Sequence, residues 1–193
     1  PDKLKRSFIS PHQSFPQLKL MILAEIENCK NGLPSGIWLK CNSLVDHRLI
    51  ELLYEASQAG VPIEIVARGI CCLRPGVAGL SETITVRSII GRFLEHGRIY
   101  VFANGGEFLS DKNIVMISSA DLMPRNLRRR VECFMRLENP TIRKQVLHQI
   151  MVALLRDEKN SWYLQPDGSY VHLQTDETSF SCHEYFMSNP SLS

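Results

Sequence analysis

Between Ile37 and Ala67 the chain spells out a strand, a helix and a second strand within about 30 residues. Ile37-Trp38-Leu39 is a short apolar run after Pro34-Ser35-Gly36. Val45, Leu49, Leu52, Leu53 and Ala56 then recur at helical spacing, with Asn42 or Ser43 available as the cap. Gly60 stops that helix, and Val61–Ala67 follows as a β-rich run. A unit of this kind joins two parallel strands through a helix that packs on the sheet, which commits the chain to an α/β layer structure.

The flanking pattern extends that structure on both sides. Leu18, Met21, Ile22 and Ile26 share one face of a helix around Phe15–Asn28, opened by Ser14 and Pro16 and closed by Asn31-Gly32. A long loop runs from Gly69 to Ser81, a length that in compact domains is often functional. Strands are expected at Ile84–Ile89, Ile99–Phe102, Ile114–Ile117 and Val131–Leu137, the last carrying Val131, Cys133, Met135 and Leu137 on its apolar face. Asn104-Gly105-Gly106 is a turn signal. From Asn139-Pro140 a helix places Ile142, Val146, Leu147, Ile150, Met151 and Leu154 on one stripe. Trp162–Leu164 and Tyr170–Leu173 around Pro166-Asp167-Gly168 read as a hairpin, followed by a loose serine-rich end. With 193 residues, no repeat and no linker, residues 1–193 read as one α/β domain. Its core is expected at about 15–157, with a peripheral hairpin and tail over 158–193. The expected sheet is mixed, mostly parallel and flanked by helices.

No run of 18 apolar residues exists, so no membrane span is expected, and no secretion signal opens the chain. The start at Pro1 reads as a piece of a longer polypeptide. Six cysteines (Cys29, Cys41, Cys71, Cys72, Cys133 and Cys182) form no CxxC pair and read as reduced core thiols of a cytosolic protein. They and the histidines lack the paired spacing of a zinc site, so no metal held by this chain is expected.

Charge is unevenly placed. Residues 68–136 hold 11 basic and 6 acidic residues, a local +5, and ten of the eleven are arginine. Arginine's planar fork suits phosphate oxygens, and a general nucleic-acid binder would be basic throughout, so the expected partner is a localised anion. Arg68-Gly69 follows the second strand of the strand–helix–strand unit, at the end where open parallel sheets bind ligands. Position alone also fits an ordinary loop arginine. His96 lies between Arg92 and Arg98, where an imidazole could accept a proton or meet a phosphoryl group. Ser118-Ser119-Ala120-Asp121 puts polar groups at another strand end, and Arg128-Arg129-Arg130 is either part of the site or a solvated face. There is no P-loop, no GxGxxG and no GxSxG elbow.

Taken together, Val66–Gly76, Arg92-Phe93-Leu94-Glu95-His96, Ile99–Gly106 and Ser118–Asp121 resemble the last domain of type-1 polyphosphate kinases, over about residues 15–157. The resemblance implies a phospholipase D-like fold and a reversible transfer of the terminal phosphate of ATP to inorganic polyphosphate. It implies a phosphohistidine in the preceding domain, absent here, and a nucleotide site to which this chain gives Arg68 and His96, with His96 catalytic. It further implies Mg2+ held by ligands outside this chain, ATP, ADP and polyphosphate as partners, contact with preceding domains and a homo-oligomer. The location implied is cytoplasmic or peripheral to the membrane. The phospholipase-type HxK(x)4D signature is missing, because Gly97-Arg98 follows His96. Two other readings stand beside this one: a non-catalytic polyanion-binding module, and a phospholipase D-like phosphodiesterase.

Overall fold

A computed structural model of the chain describes residues 6–189. The strands are β1 (Ser7–Ile9), β2 (Ile37–Cys41), β3 (Ile63–Ala67), β4 (Ile84–Ile89), β5 (Ile99–Phe102), β6 (Ile114–Ser118), β7 (Cys133–Arg136), β8 (Ser161–Leu164) and β9 (Tyr170–His172). The helices are α1 (Ser14–Lys30), α2 (His47–Gln58), α3 (Pro124–Arg128), α4 (Pro140–Lys144), α5 (Val152–Arg156) and α6 (Cys182–Ser188), with a π-helical stretch, Gln145–Met151, joining α4 to α5. Pro1 and most of the serine-rich terminus lie outside the described residues.

All nine strands form one sheet in the order β1-β7-β6-β5-β2-β3-β4-β8-β9. The strand–helix–strand unit pairs β2 with β3 in parallel, and β4 adds to β3 in parallel. Every other pairing is antiparallel. The sheet is therefore mixed, as expected, but the mostly parallel expectation is corrected. The links between β5 and β6 and between β8 and β9 are too short for a crossover, so those strands must turn back.

Alternation along the strands feeds two cores. Ile37 and Leu39 of β2 and Ile63 and Ile65 of β3 face α1 and α2, together with Leu18, Met21, Ile22, Leu49, Leu53 and Ala56. Val66, Ile89, Ile99 and Val101 face the helical run 140–156 and α6, meeting Leu147, Met151, Leu154 and Cys182. At about 25 cal/mol per Å2 of apolar area, burial on both faces is what fixes the three layers. Gly60, at φ +96°, lets the chain leave α2 in a backbone state that a side chain would strain.

Four local expectations are corrected. The cap of α2 is Asp46, whose carboxylate accepts from the Leu49 amide at 3.3 Å, because the helix starts only at His47, well past Asn42 and Ser43. On β7 the buried residue is Phe134, stacked on Phe8 at 4.7 Å, whereas Val131, Cys133 and Met135 are exposed. Helix α1 covers the Phe134 face, while on the opposite face Ile117 beside Met135 is also open. Ile142 is likewise exposed, since the wide π-helical turns rotate it off the stripe formed by Leu147, Met151 and Leu154. The thiols are all free, but Cys72 and Cys133 are surface rather than core residues.

Candidate functional site

Strands β2, β3, β4 and β6 end at the same edge of the sheet, and β5, antiparallel to β2, begins there with Ile99 opposite Lys40. The edge therefore gathers residues 40–43, 68–72, 90–98 and 118–121. Arg68 is the first residue past β3, as the sequence implies. Its amide donates to Cys41 O at 3.3 Å and its carbonyl accepts from Ser88 Oγ at 3.4 Å. Gly69 then donates to Asn42 O at 2.6 Å, and a Cβ there would lie 2.9 Å from that oxygen, so only glycine allows the approach. Arg68 is partly buried and its side chain has no hydrogen bond or ion pair among the described residues.

Several other arginines of the fold, by contrast, are matched by an acid. Arg87 pairs with Glu64 at 2.8 Å, Arg128 with buried Asp46 at 3.1 Å and Arg143 with Asp111 at 2.8 Å. Arg98 takes Asp121 through two contacts of 3.2 and 3.1 Å. Burial pushes the Asp121 carboxyl up, but Arg98 and the Asn42 amide (2.8 Å) outweigh it, so its pKa falls below the usual aspartate value. Tyr100 supports the same turn from beneath, its hydroxyl donating to Ala120 O at 2.8 Å. Ser118 and Ser119 are used in this turn, bonding Cys133 O at 2.9 Å and Glu132 at 2.5 Å. Of the arginine triplet, Arg129 and Arg130 face solvent.

His96 stands exposed on the loop leading into β5, and its imidazole has no hydrogen bond among the described residues. Its two neighbours are held instead. Lys40 Nζ donates to Gly97 O at 2.8 Å and pairs with Glu95 at 3.3 Å. Burial lowers the Lys40 pKa, Arg68 adds to that lowering, and Glu95 opposes it. Lys40 thus lies within electrostatic reach of Arg68 on one side and is bonded to the His96 loop on the other, which brings the two sequence-derived residues to one edge.

Sequence reasoning missed Lys40 and His183. A lysine inside the apolar run of β2 was a usable signal; nothing near His183 in sequence pointed to Glu95, 88 residues away. An open groove of about 470 Å3 runs beside Arg68, lined by residues including Cys72, Arg74 and Tyr170. Cys71 lines it as well, but burial pushes its thiol up to about 11, so it is not a thiolate nucleophile near neutral pH. A larger cleft of about 840 Å3 lies around Asp111, Arg143 and His148, at the opposite edge and away from these groups. Among the described residues no three His, Cys, Asp or Glu side chains stand together as a metal site requires. The nearest carboxylates, Asp121 and Glu95, are already taken by Arg98 and by Lys40.

The edge, with an unmatched arginine and an exposed imidazole, belongs to an α/β domain built on one mixed sheet flanked by helices. The family model described as "Polyphosphate kinase C-terminal domain 2" matches residues 7–183. The chain belongs to the polyphosphate kinase family, as its C-terminal domain 2. It is 52% identical over its whole length to "Polyphosphate kinase" of Erythrobacter litoralis, and spans 27% of that protein. It is 48% identical over 86% of its length to that of Synechocystis, spanning 22%. The crystal structure of polyphosphate kinase from Porphyromonas gingivalis matches all of the chain at TM-score 0.88 and 32% identity, with 29% of that structure covered. NucT from Helicobacter pylori, at 11% identity and TM-score 0.50, shares the fold alone over 76% of the chain. The chain spans about a quarter of the length of these polyphosphate kinases. No helix of the described residues is long and apolar enough to cross a membrane.

Proposed function

We propose that this chain supplies half of the nucleotide site of an enzyme that reversibly transfers the terminal phosphate of ATP to inorganic polyphosphate. In this reading Arg68 grips phosphate oxygens with its fork, and His96 meets the transferring group as a proton donor or acceptor. The transfer itself passes through a phosphohistidine in a preceding domain, outside this chain. Phosphoryl transfer asks mainly for positioning and for compensation of charge on the equatorial oxygens. The observation that carries the reading is Arg68: a partly buried cation at the strand edge with no acid to neutralise it.

Mg2+, which the family implies, does not fit the side chains of this edge, because its carboxylates are engaged by cations. We assign its ligands to the rest of the enzyme. Preceding domains, ATP, ADP and polyphosphate are the partners this reading requires, with a homo-oligomer as the assembly and the cytoplasm as the location.

The test is made in the complete enzyme. Arg68→Lys keeps the charge and loses the fork, so it should cost about 1.5–3 kcal/mol, roughly ten- to a hundredfold in rate. His96→Ala should be worse than His96→Gln if the imidazole acts by hydrogen bonding, and the two should be equal if it moves a proton. Full activity in both Arg68→Lys and His96→Ala, with unchanged melting temperature, would overturn the assignment.

A further inference from the structure

The loop 90–98 is fastened from two sides, and both fastenings converge on Glu95. One carboxylate oxygen takes Lys40 Nζ at 3.3 Å; the other lies 2.9 Å from His183 Nε2. His183 comes from α6 and is buried to 2% exposure, although the segment that carries it reads from sequence as a peripheral tail. On the far side of its ring, Nδ1 accepts from the Phe93 amide at 3.4 Å. A single tautomer, with the proton on Nε2, satisfies both contacts. The backbone presses so closely that a Cβ on Gly91 would come within 2.5 Å of Nδ1, and Phe93 meets the ring edge-on at 5.2 Å.

His183 is itself anchored. Buried Asp157, at the end of α5, accepts from the Cys182 amide at 2.8 Å and from Asn160 at 2.8 and 3.0 Å. Burial raises the Asp157 pKa, and these donors together bring it below the usual value. The anchorage therefore runs from the helical core through His183 to Glu95, one residue before His96. Lys40 holds Gly97 O, one residue after it, at 2.8 Å.

From this we infer that Glu95 and His183 are positioning residues for His96, so that the C-terminal helix completes the site at the strand edge. The inference rests on the reading of His96 given above. Both residues adjoining His96 are tied down while its own imidazole is left free, which is how a side chain is aimed without being occupied. Catalysis is sensitive to such aim, because about 1 Å of misplacement can cost two orders of magnitude.

The experiment uses the complete enzyme and compares wild type with His96→Ala, Glu95→Ala, His183→Ala and His183→Gln. Turnover, KM for ATP, melting temperature and hydrogen exchange of peptides covering 90–98 are measured. Glu95→Ala and His183→Ala should lower kcat roughly ten- to a hundredfold with KM little changed, a loss larger than their fall in melting temperature accounts for, and should speed exchange in the loop. His183→Gln, whose amide can donate to Glu95, should recover most of kcat. Wild-type kcat in Glu95→Ala and His183→Ala, while His96→Ala is inactive, overturns the positioning role and leaves the function of His96 standing. A loss of kcat that only tracks a fall in melting temperature, without recovery in His183→Gln, also overturns it. Full activity of His96→Ala overturns the reading of His96 and this inference with it.

Discussion

Arg98 and Asp121 meet in a two-contact ion pair, at 3.2 and 3.1 Å, that joins the start of β5 to the turn after β6. The same carboxylate accepts from the Asn42 amide at 2.8 Å, so it also ties in the end of β2. One side chain thus closes three segments of the edge.

Removing that carboxylate leaves a guanidinium and a backbone amide without partners. Asp121→Ala should cost about 3 kcal/mol of stability, the lower end for a broken buried pair because both side chains reach some solvent. Asp121→Asn keeps an acceptor for the Asn42 amide and should cost about 1–2 kcal/mol. Urea unfolding of the chain measures both, and an alanine cost under about 0.5 kcal/mol, the range of surface substitutions, would reduce the pair to a surface contact.

The pKa of Asp121 is lower in the folded than in the unfolded state, and so is that of Asp157. Their contribution is therefore complete above the ordinary aspartate value near pH 4, and is lost as pH falls through the folded values. Glu25 has the opposite sign: burial raises its pKa despite hydrogen bonds from the Gly36 and Asn104 amides, so its protonation favours the fold. Unfolding midpoints from pH 7 to pH 2 should fall most steeply below about pH 4. Asp121→Asn should make that fall shallower, and a slope equal to wild type would contradict the assignment.

Gly69→Ala tests the close approach beside Arg68. The new methyl would meet the backbone oxygen of Asn42 at 2.9 Å, and that oxygen cannot swing away as a side chain can. A destabilisation of about 1–3 kcal/mol is expected, with the loop displaced. In the complete enzyme KM for ATP should rise, and an unchanged KM would separate this loop from nucleotide binding.

Phe134→Ala and Met135→Ala should differ sharply although the residues are adjacent. Phe134 is wholly buried against Phe8 and Tyr100, so its truncation should cost about 3–5 kcal/mol. Met135 is 50% exposed, and its loss should fall within about 0.5 kcal/mol. Equal losses would mean that the facing of β7 is wrong.

In the proposed reading, polyphosphate binding should weaken as salt rises, because ions screen the charges of the +5 segment. Titration at low and high ionic strength measures this. Binding that ignores salt would remove the electrostatic account.

Local pattern decided much of this protein. The spacing of Leu49, Leu53 and Ala56 after Ile37–Leu39 was enough for a parallel pair with its helix, because periodicity and handedness leave few alternatives. Arg68 could be placed at a strand end for the same reason, and the stretches around Arg68, His96 and Ser118–Asp121 carried the family. Local pattern could not decide what depends on partners distant in sequence. Whether Phe134 or Met135 points inward depends on which sheet face α1 covers, and alternation alone is symmetric between the faces. Asn42 and Asp46 are both competent caps; the choice fell to Asp46 because Leu44 and Val45 bond the loops at Ile70 and Leu122, so the helix starts only after them. His183 reads as tail in sequence and becomes a buried contact of Glu95 only when β8 adds to β4 and carries α6 back to the edge. Hydrogen bonds and ion pairs between segments about 80–90 residues apart need the folded chain to bring their ends within 3 Å, and only the tertiary structure supplies that proximity.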